Sequence, residues 1–289
     1  MELRVLRYFL AVAREENITR AARLLHLSQP TLSRQLMQLE EELGVKLFLR
    51  TRHHISLTEE GYLLKRRAEE IITLTDRASY ELSHGGRKLS GTIAIGSGEL
   101  QSSAWLSGLI ASFHEVHPDV SFSIFSGSSD NIKERIESGT LDLGLLQEPV
   151  DVSSYSFLRT PVSECWGILV PDGVWPEHGE KAKAEDICGL PLILPEREHV
   201  QHELLNWFGP HAASLDIMAT GNLQYNQAIL AREAKACVLT IDLGCRYEGM
   251  SFIPLDPPLL SRTLLVWKKD QPSSAAVSAF LSHINNASE

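Results

Sequence analysis

The chain has 289 residues, too many for one small core, and predicts two or three domains. Hydrophobic residues at 43% and charged residues at 22% exclude a disordered chain, and no run of 18 or more apolar residues offers a membrane-spanning helix. The net charge of −10 is unevenly placed: residues 1–90 carry 15 Lys and Arg against 12 Asp and Glu, a net of +3, and the rest carries 12 against 25, a net of −13. A mildly basic head on an acidic body permits one local surface to meet phosphate while the whole stays soluble.

The opening MELRVLRYFLAVAREE is charged throughout and lacks a small-residue cleavage site, so it reads as mature, cytoplasmic sequence. Leu3, Leu6, Phe9, Leu10 and Ala13 recur at helical spacing and predict a helix over 3–14. A second helix starts at 17–19 with Thr19 as N-cap, and turns Ala21, Ala22 and Leu25 inward. About three residues then lead to a third helix, the spacing of a helix-turn-helix.

That third helix opens LSQPTLSRQLMQLE, with Leu32, Leu36, Leu39 and Leu43 on one apolar face. Ser28 is the expected N-cap, and Pro30 gives up an N–H that has no partner in the first turn. Gln29, Ser33, Arg34 and Met37 fall on the other face, while Glu40, Glu41 and Glu42 look like ordinary solvated acids. In a helix-turn-helix this face meets base edges in the major groove. Gln pairs with adenine, Arg with guanine, and Ser or Thr with base or phosphate.

Past Gly44 the run VKLFLRTRHHISLT alternates and breaks at Arg52-His53-His54, a hairpin or wing whose Arg50, Arg52, His53 and His54 suit a phosphate or minor-groove contact, with a merely solvated tip as the alternative. Thr58 caps a helix that runs to about Leu82 before Gly85-Gly86. Leu64, Ala68, Ile71, Thr75, Ala78 and Leu82 step by four and three, the seam of a coiled coil, so a dimer is expected about a rod of roughly 38 Å, with packing of the stripe on its own domain as the weaker alternative.

From Gly91 strands and helices alternate. Strands at 92–96, 120–125 and 141–146 enclose helices marked by Trp105 to Phe113 and by Ile132 and Ile136, a βαβαβ unit with a parallel sheet. A second unit follows: CWGILV, PLILP, a helix at 200–208, a strand near Ile217, a helix at 225–233, ACVLTI and SFIPL. RTLLVWKK and a helix over 274–284 complete the first unit, so the chain crosses between halves near 158–164 and 256–264. Two crossings predict hinged lobes about a ligand cleft. Helix starts at Ser97 to Ser102 and Ser128 to Asn131 would favour an anion, with simple capping by these serines as the alternative; Glu99 would instead accept from an amine or hydroxyl.

Taken together, AARLLHLSQPTLSRQLMQLEEELGVKLFLR and the following LTEEG resemble the LysR-type transcriptional regulators, and the resemblance extends over essentially the whole chain. It implies an α+β multidomain protein with three parts. Residues 1–58 form a winged helix-turn-helix, 59–90 a long dimerising linker helix and hinge, and 91–289 a two-lobed α/β effector domain similar to periplasmic binding proteins. Lobe I comprises 91–161 and 265–289, and lobe II 162–264. Such regulators usually assemble as homotetramers. The candidate DNA contacts are Thr19, Ser28, Gln29, Pro30, Thr31, Ser33 and Arg34, with Arg50, Arg52 and His53 at the wing. The family's inducer cleft maps onto Ser97, Gly98, Glu99, Gln101, Ser102, Ser128, Ser129, Pro195 and Asn222. Glu99 and the segment AKACVLTIDLG depart from the family's small-residue and glycine-rich runs at these places.

The partners implied are operator DNA, a small-molecule inducer, a second copy of the chain as dimer or tetramer, and RNA polymerase; no membrane, metal or further cofactor is implied. Two lobes alone would also suit a solute-binding protein, but no export signal is present and the first 90 residues would have no purpose there. No G-x-S-x-G, Walker loop, H-E-x-x-H or dinucleotide fingerprint points to an enzyme. Cys165, Cys188, Cys237 and Cys245 lack C-x-x-C spacing and read as buried thiols, with a Cys237–Cys245 redox pair as the variant.

Overall fold

The computed structural model describes residues 1–50, 55–84, 89–175, 180–269 and 273–287, and the backbone alone at 50, 77 and 80–84. They form two compact units, Met1–Arg87 and Lys88–Glu289. The first holds α1 (Leu3–Glu15), α2 (Ile18–Leu24), α3 (Gln29–Leu43), β1 (Phe48–Arg50), β2 (Ile55–Leu57) and α4 (Glu59–His84).

Phe9, Val12, Ala21, Ala22, Leu32, Leu36 and Leu39 are buried in one core, and the Phe9 and Phe48 rings lie 5.2 Å apart. The cap of α2 is Asn17, whose side chain accepts from Arg20 N at 2.9 Å, and not Thr19. Asn outranks Thr as a cap, and starting there is what turns both alanines inward. Ser28 does cap α3, accepting from Thr31 N at 3.3 Å, and Gly44 ends the helix at φ +71°, a conformation that a side chain would strain. Leu43 departs from the expected apolar face: it sits in the last turn, past the edge of the core, and is 38% exposed.

Glu40 is also not the solvated acid its neighbours are. It is 3% exposed, and its Oε1 accepts from Leu47 N at 2.9 Å and Phe48 N at 3.2 Å. The carboxylate thus fixes where the chain leaves α3 and enters the hairpin. The two hairpin strands pair antiparallel from Phe48 opposite Leu57 to Arg50 opposite Ile55. Arg52, His53 and His54 of the expected tip lie outside the described residues, as does the side chain of Arg50.

Thr58 caps α4, its Oγ1 accepting from Gly61 N at 2.9 Å. The seam expected for a coiled coil is used differently in its first half. Leu64, Ala68 and Ile71 pack against the core of this same unit, because α4 lies along α1. Among the described residues, Tyr62, Leu63 and Leu74 are the large apolar side chains it exposes, at 63%, 55% and 37%. The Leu82 side chain and Gly85-Gly86 lie outside the described residues.

The second unit holds β3 (Gly91–Ser97), α5 (Ser102–Val116), β4 (Val120–Ser126), α6 (Ser129–Glu137), β5 (Leu143–Gln147), β6 (Tyr155–Pro171), α7 (Ala184–Ile187) and β7 (Pro191–Pro195). It continues with α8 (Glu198–Phe208), a 3₁₀ helix (Gly209–Ser214), β8 (Asp216–Gly221), α9 (Gln224–Ala234), β9 (Cys237–Ile241), β10 (Met250–Pro254), β11 (Leu260–Lys268) and α10 (Ala275–Ala287). The strand order is β4-β3-β5-β11-β6-β9-β7-β8, with β10 also on β6. β3 runs parallel to β4 and β5, and β7 parallel to β8 and β9; β11 and β10 are antiparallel to their neighbours.

The expected crossing near 158–164 is the middle of one continuous strand. β6 pairs with β11 over Tyr155–Cys165 and with β9 over Trp166–Leu169, so it belongs to both lobes. The return near 256–264 likewise runs into β11, whose Leu260 already pairs with Cys165. Gly96 and Gly144 let α6 close on the sheet, since a Cβ on either would meet the Ile132 side chain within 3 Å. The four-residue α7 and the 3₁₀ helix are too short to show a hydrophobic period in the sequence.

Candidate functional site

In the first unit the site is the outward face of α3. Gln29, Pro30, Thr31, Arg34 and Met37 are exposed and Ser33 half-exposed, while Leu32, Leu36 and Leu39 are at most 1% exposed. This separation follows from the helical period: every third or fourth residue turns inward, and the polar residues between them turn out. Thr19, on the second residue of α2, is exposed as well. The start of α3 therefore offers amide and guanidinium donors on a rigid helix.

In the second unit, lobes I and II enclose a cavity of about 300 Å³. Gly98, Glu99, Ser128, Ser129, Pro195 and Asn222 line it, as expected. Ser97, Gln101 and Ser102 are not part of its wall. Ser97 is buried, donates to Gly98 O at 2.8 Å and lines a neighbouring groove beside α5. Gln101 and Ser102 give their backbone N–H groups, at 2.8 and 3.0 Å, to the carboxylate of Glu164. Glu164 is fully buried and reaches α5 from β6. The anion expected at this helix start is thus a group of the protein itself. The Ser102 side chain is buried, and its Oγ has no hydrogen-bond partner among the described residues.

Two hydrogen bonds of opposite charge join the lobes across the cavity. Glu99 of lobe I accepts from Gln224 N, the first amide of α9 in lobe II, at 2.6 Å. Arg197 of lobe II donates from Nη2 to Pro149 O of lobe I at 3.4 Å. Burial disfavours the charge of the Arg197 guanidinium and lowers its pKa, an effect that Asp130 at the start of α6 opposes. Leu100, Leu145, Trp166, Val200, Leu239 and Ile241 supply the apolar wall. Thr240 donates to Gln224 Oε1 at 2.8 Å, and Gln227 Nε2 to Leu194 O at 3.2 Å, which fixes both amides in place.

Arg197, Gln147, Gln224 and Glu164 are the site residues that sequence reasoning missed. Glu164 carried a usable signal, a lone carboxylate leading into the apolar strand CWGILV. Arg197 was hidden among the charges of PEREHV, which read as a solvated turn. Cys237 is buried, and burial pushes its thiol up to about 11, so it packs in β9 as a neutral group; Cys245 is exposed. Among the described residues no group of three or more His, Cys, Asp or Glu is placed to hold a metal, and no helix is long and apolar enough to cross a membrane.

A helix-turn-helix with its polar face outward and a two-lobed domain around a small cavity define a ligand-responsive class of DNA-binding regulator. Residues 3–62 match the model of the bacterial regulatory helix-turn-helix proteins of the lysR family, and residues 86–289 match that of the LysR substrate binding domain. The chain belongs to the LysR family of transcriptional regulators. It is 34% identical over 195 residues to the HTH-type transcriptional regulator BsdA of Bacillus subtilis, covering 67% of each chain. It is 26% identical over 275 residues to the transcriptional activator IlvY of Salmonella typhimurium, covering 94% of this chain and 90% of that one. Among solved structures, the LysR family regulator CbnR superposes with a TM-score of 0.78 at 22% identity over all of both chains. Full-length CbnR complexed with its target DNA gives 0.75 at 22% identity, over 99% of this chain and 100% of that one.

Proposed function

We propose that this regulator reads operator DNA with the exposed start of α3, and that a small molecule in the cavity between its lobes biases that binding. The observation that carries the reading is the placement of Gln29, Thr31 and Arg34 on the solvent side of a helix whose other face is locked in the core. Gln and Arg there have the bidentate donors and acceptors that distinguish base pairs in the major groove. Thr19, Ser28, Pro30 and Ser33 would position the helix on the backbone, and the wing residues Arg50, Arg52 and His53 would add contacts to phosphate or the minor groove. That a fold relative, CbnR, has been solved on its target DNA supports this reading.

In the cavity, a ligand that fits the closed arrangement of lobes better than the open one shifts the balance between them, and with it the affinity for DNA. Gly98, Glu99, Ser128, Ser129, Pro195 and Asn222 form part of the contact surface; no metal or other cofactor enters the scheme. The protein acts in the cytoplasm as a dimer or a tetramer and engages RNA polymerase. Apolar residues exposed on the two edge strands, Ile124 at 56% on β4 and Ile217 at 49% on β8, support self-association.

The test is Arg34→Ala in competition binding on the DNA that flanks the gene. Specific affinity should fall by about 1–3 kcal/mol and base preference relax at one position. An equal loss on random DNA would refute direct readout by this side chain.

A further inference from the structure

The cavity wall carries two unlike sets of groups, and they decide what can occupy it. One set is donors without acceptors. The Nε of Arg197 is buried and has no hydrogen-bond partner among the described residues, and the same is true of Gln147 Nε2. Both residues line the cavity, and Pro149, whose carbonyl accepts from the Arg197 guanidinium, lies two residues beyond Gln147. Among the described residues no carboxylate stands within 4.0 Å of the Arg197 guanidinium. Asp130 acts on it from farther off and is exposed, so water screens that charge. Glu196 also lines the cavity, but it too is exposed. The start of α6, with Ser128 and Ser129 in the wall, adds the positive end of a nine-residue helix.

The other helix starts nearby are taken by acids: behind the wall the first amides of α5 are satisfied by Glu164, and in the wall the first amide of α9 by Glu99. A second anion placed beside Gln224 would meet the Glu99 carboxylate and find that donor occupied. Buried donors left unpaired are costly, and an acceptor that pairs with them recovers that cost on binding.

We infer that the effector carries a carboxylate, seated between Arg197 and Gln147 at the start of α6, with its apolar body against Leu145, Trp166 and Leu239. This deepens the reading of the cavity as the effector site and rests on it. A volume of about 300 Å³ holds on the order of a dozen non-hydrogen atoms at ordinary packing density, so the ligand is a compact monocarboxylate. The Glu99 carboxylate in the wall disfavours a second anionic group and accepts from a hydroxyl or ammonium. Of the two helix starts that the sequence offers an anion, the one at Ser128 to Asn131 is kept, and the one at Ser97 to Ser102 is filled by Glu164.

The experiment is calorimetric titration of the full chain with hexanoate, phenylacetate and 3-hydroxybutanoate, each beside its own primary amide, at constant ionic strength. At least one carboxylate should bind about tenfold or more tightly than its amide, as expected of a charge-assisted pair. Arg197→Met should bring that ratio to near one, and Arg197→Lys should keep part of it; near-ultraviolet circular dichroism checks that each variant is folded. If no carboxylate is preferred over its amide, or if the preference survives Arg197→Met, the inference is overturned. Gel-shift of the same wild-type preparation on DNA flanking the gene separates the two failures. Selective DNA binding without carboxylate preference sinks only this inference, whereas loss of selectivity sinks the functional reading beneath it.

Discussion

Two buried glutamates do work in this chain that composition counts as solvation. Burial acts to raise the pKa of Glu40, but hydrogen bonds from Leu47, Lys46 and Phe48 outweigh it and hold the carboxyl below its ordinary range. The stabilisation it gives is therefore fully present above the ordinary glutamate range and is lost as pH falls through the lower, folded value. Glu40→Ala should cost about 1–3 kcal/mol in denaturant unfolding of the first unit, and the deficit should shrink as pH is taken below about 4. A pH-independent deficit would mean that packing, not charge, is what Glu40 contributes. Glu164 makes the same kind of bond to α5, and only the apolar strand that follows it sets it apart in the sequence from an acid in water. The solvent-facing residues Gln29, Thr31 and Arg34 were legible because helical period alone separates them from the leucines.

At the scale of elements, the order of helices and strands was legible wherever an apolar period ran for two turns or five residues. α3, β3, β5, β7 and β9 all fall within a few residues of their expected places. Less legible was what each apolar stripe packs against, because periodicity gives a face and not a partner. α4 illustrates this. Leu64, Ala68 and Ile71 have the spacing of a dimer seam, yet they pack on the core of their own unit. Leu64→Asp with Ile71→Asp should therefore lower the unfolding free energy of the first unit by about 2–4 kcal/mol in all, since each sets a charge against the core. Leu63→Asp with Leu74→Asp, on the exposed side, should change its stability by under about 1 kcal/mol and instead shift the oligomer to smaller species in sedimentation velocity. An unchanged oligomer with the second pair would remove α4 from the self-association surface. The long strand β6 was missed as a unit for a related reason: its first half alternates and its second half is continuously apolar, so the sequence reads as a break where the backbone has none.

For the molecule as a whole, the charge division of the sequence anticipates the division of labour. The +3 head carries the helix with exposed donors, and the −13 body carries the cavity. Ser102 marks where family resemblance and geometry part. It occupies the expected inducer segment, but its side chain is buried behind a cap supplied by Glu164. Ser102→Ala should accordingly leave carboxylate affinity within about twofold of wild type, since it removes no group from the cavity wall, and calorimetry would show a larger loss if the hydroxyl took part. The most direct test of the whole account is a comparison of affinities at about 0.15 M salt, measured by fluorescence anisotropy, for DNA flanking the gene and for a scrambled duplex of equal length. The account predicts that the flanking fragment binds at least about a thousandfold more tightly, and equal affinity for the two duplexes would contradict it.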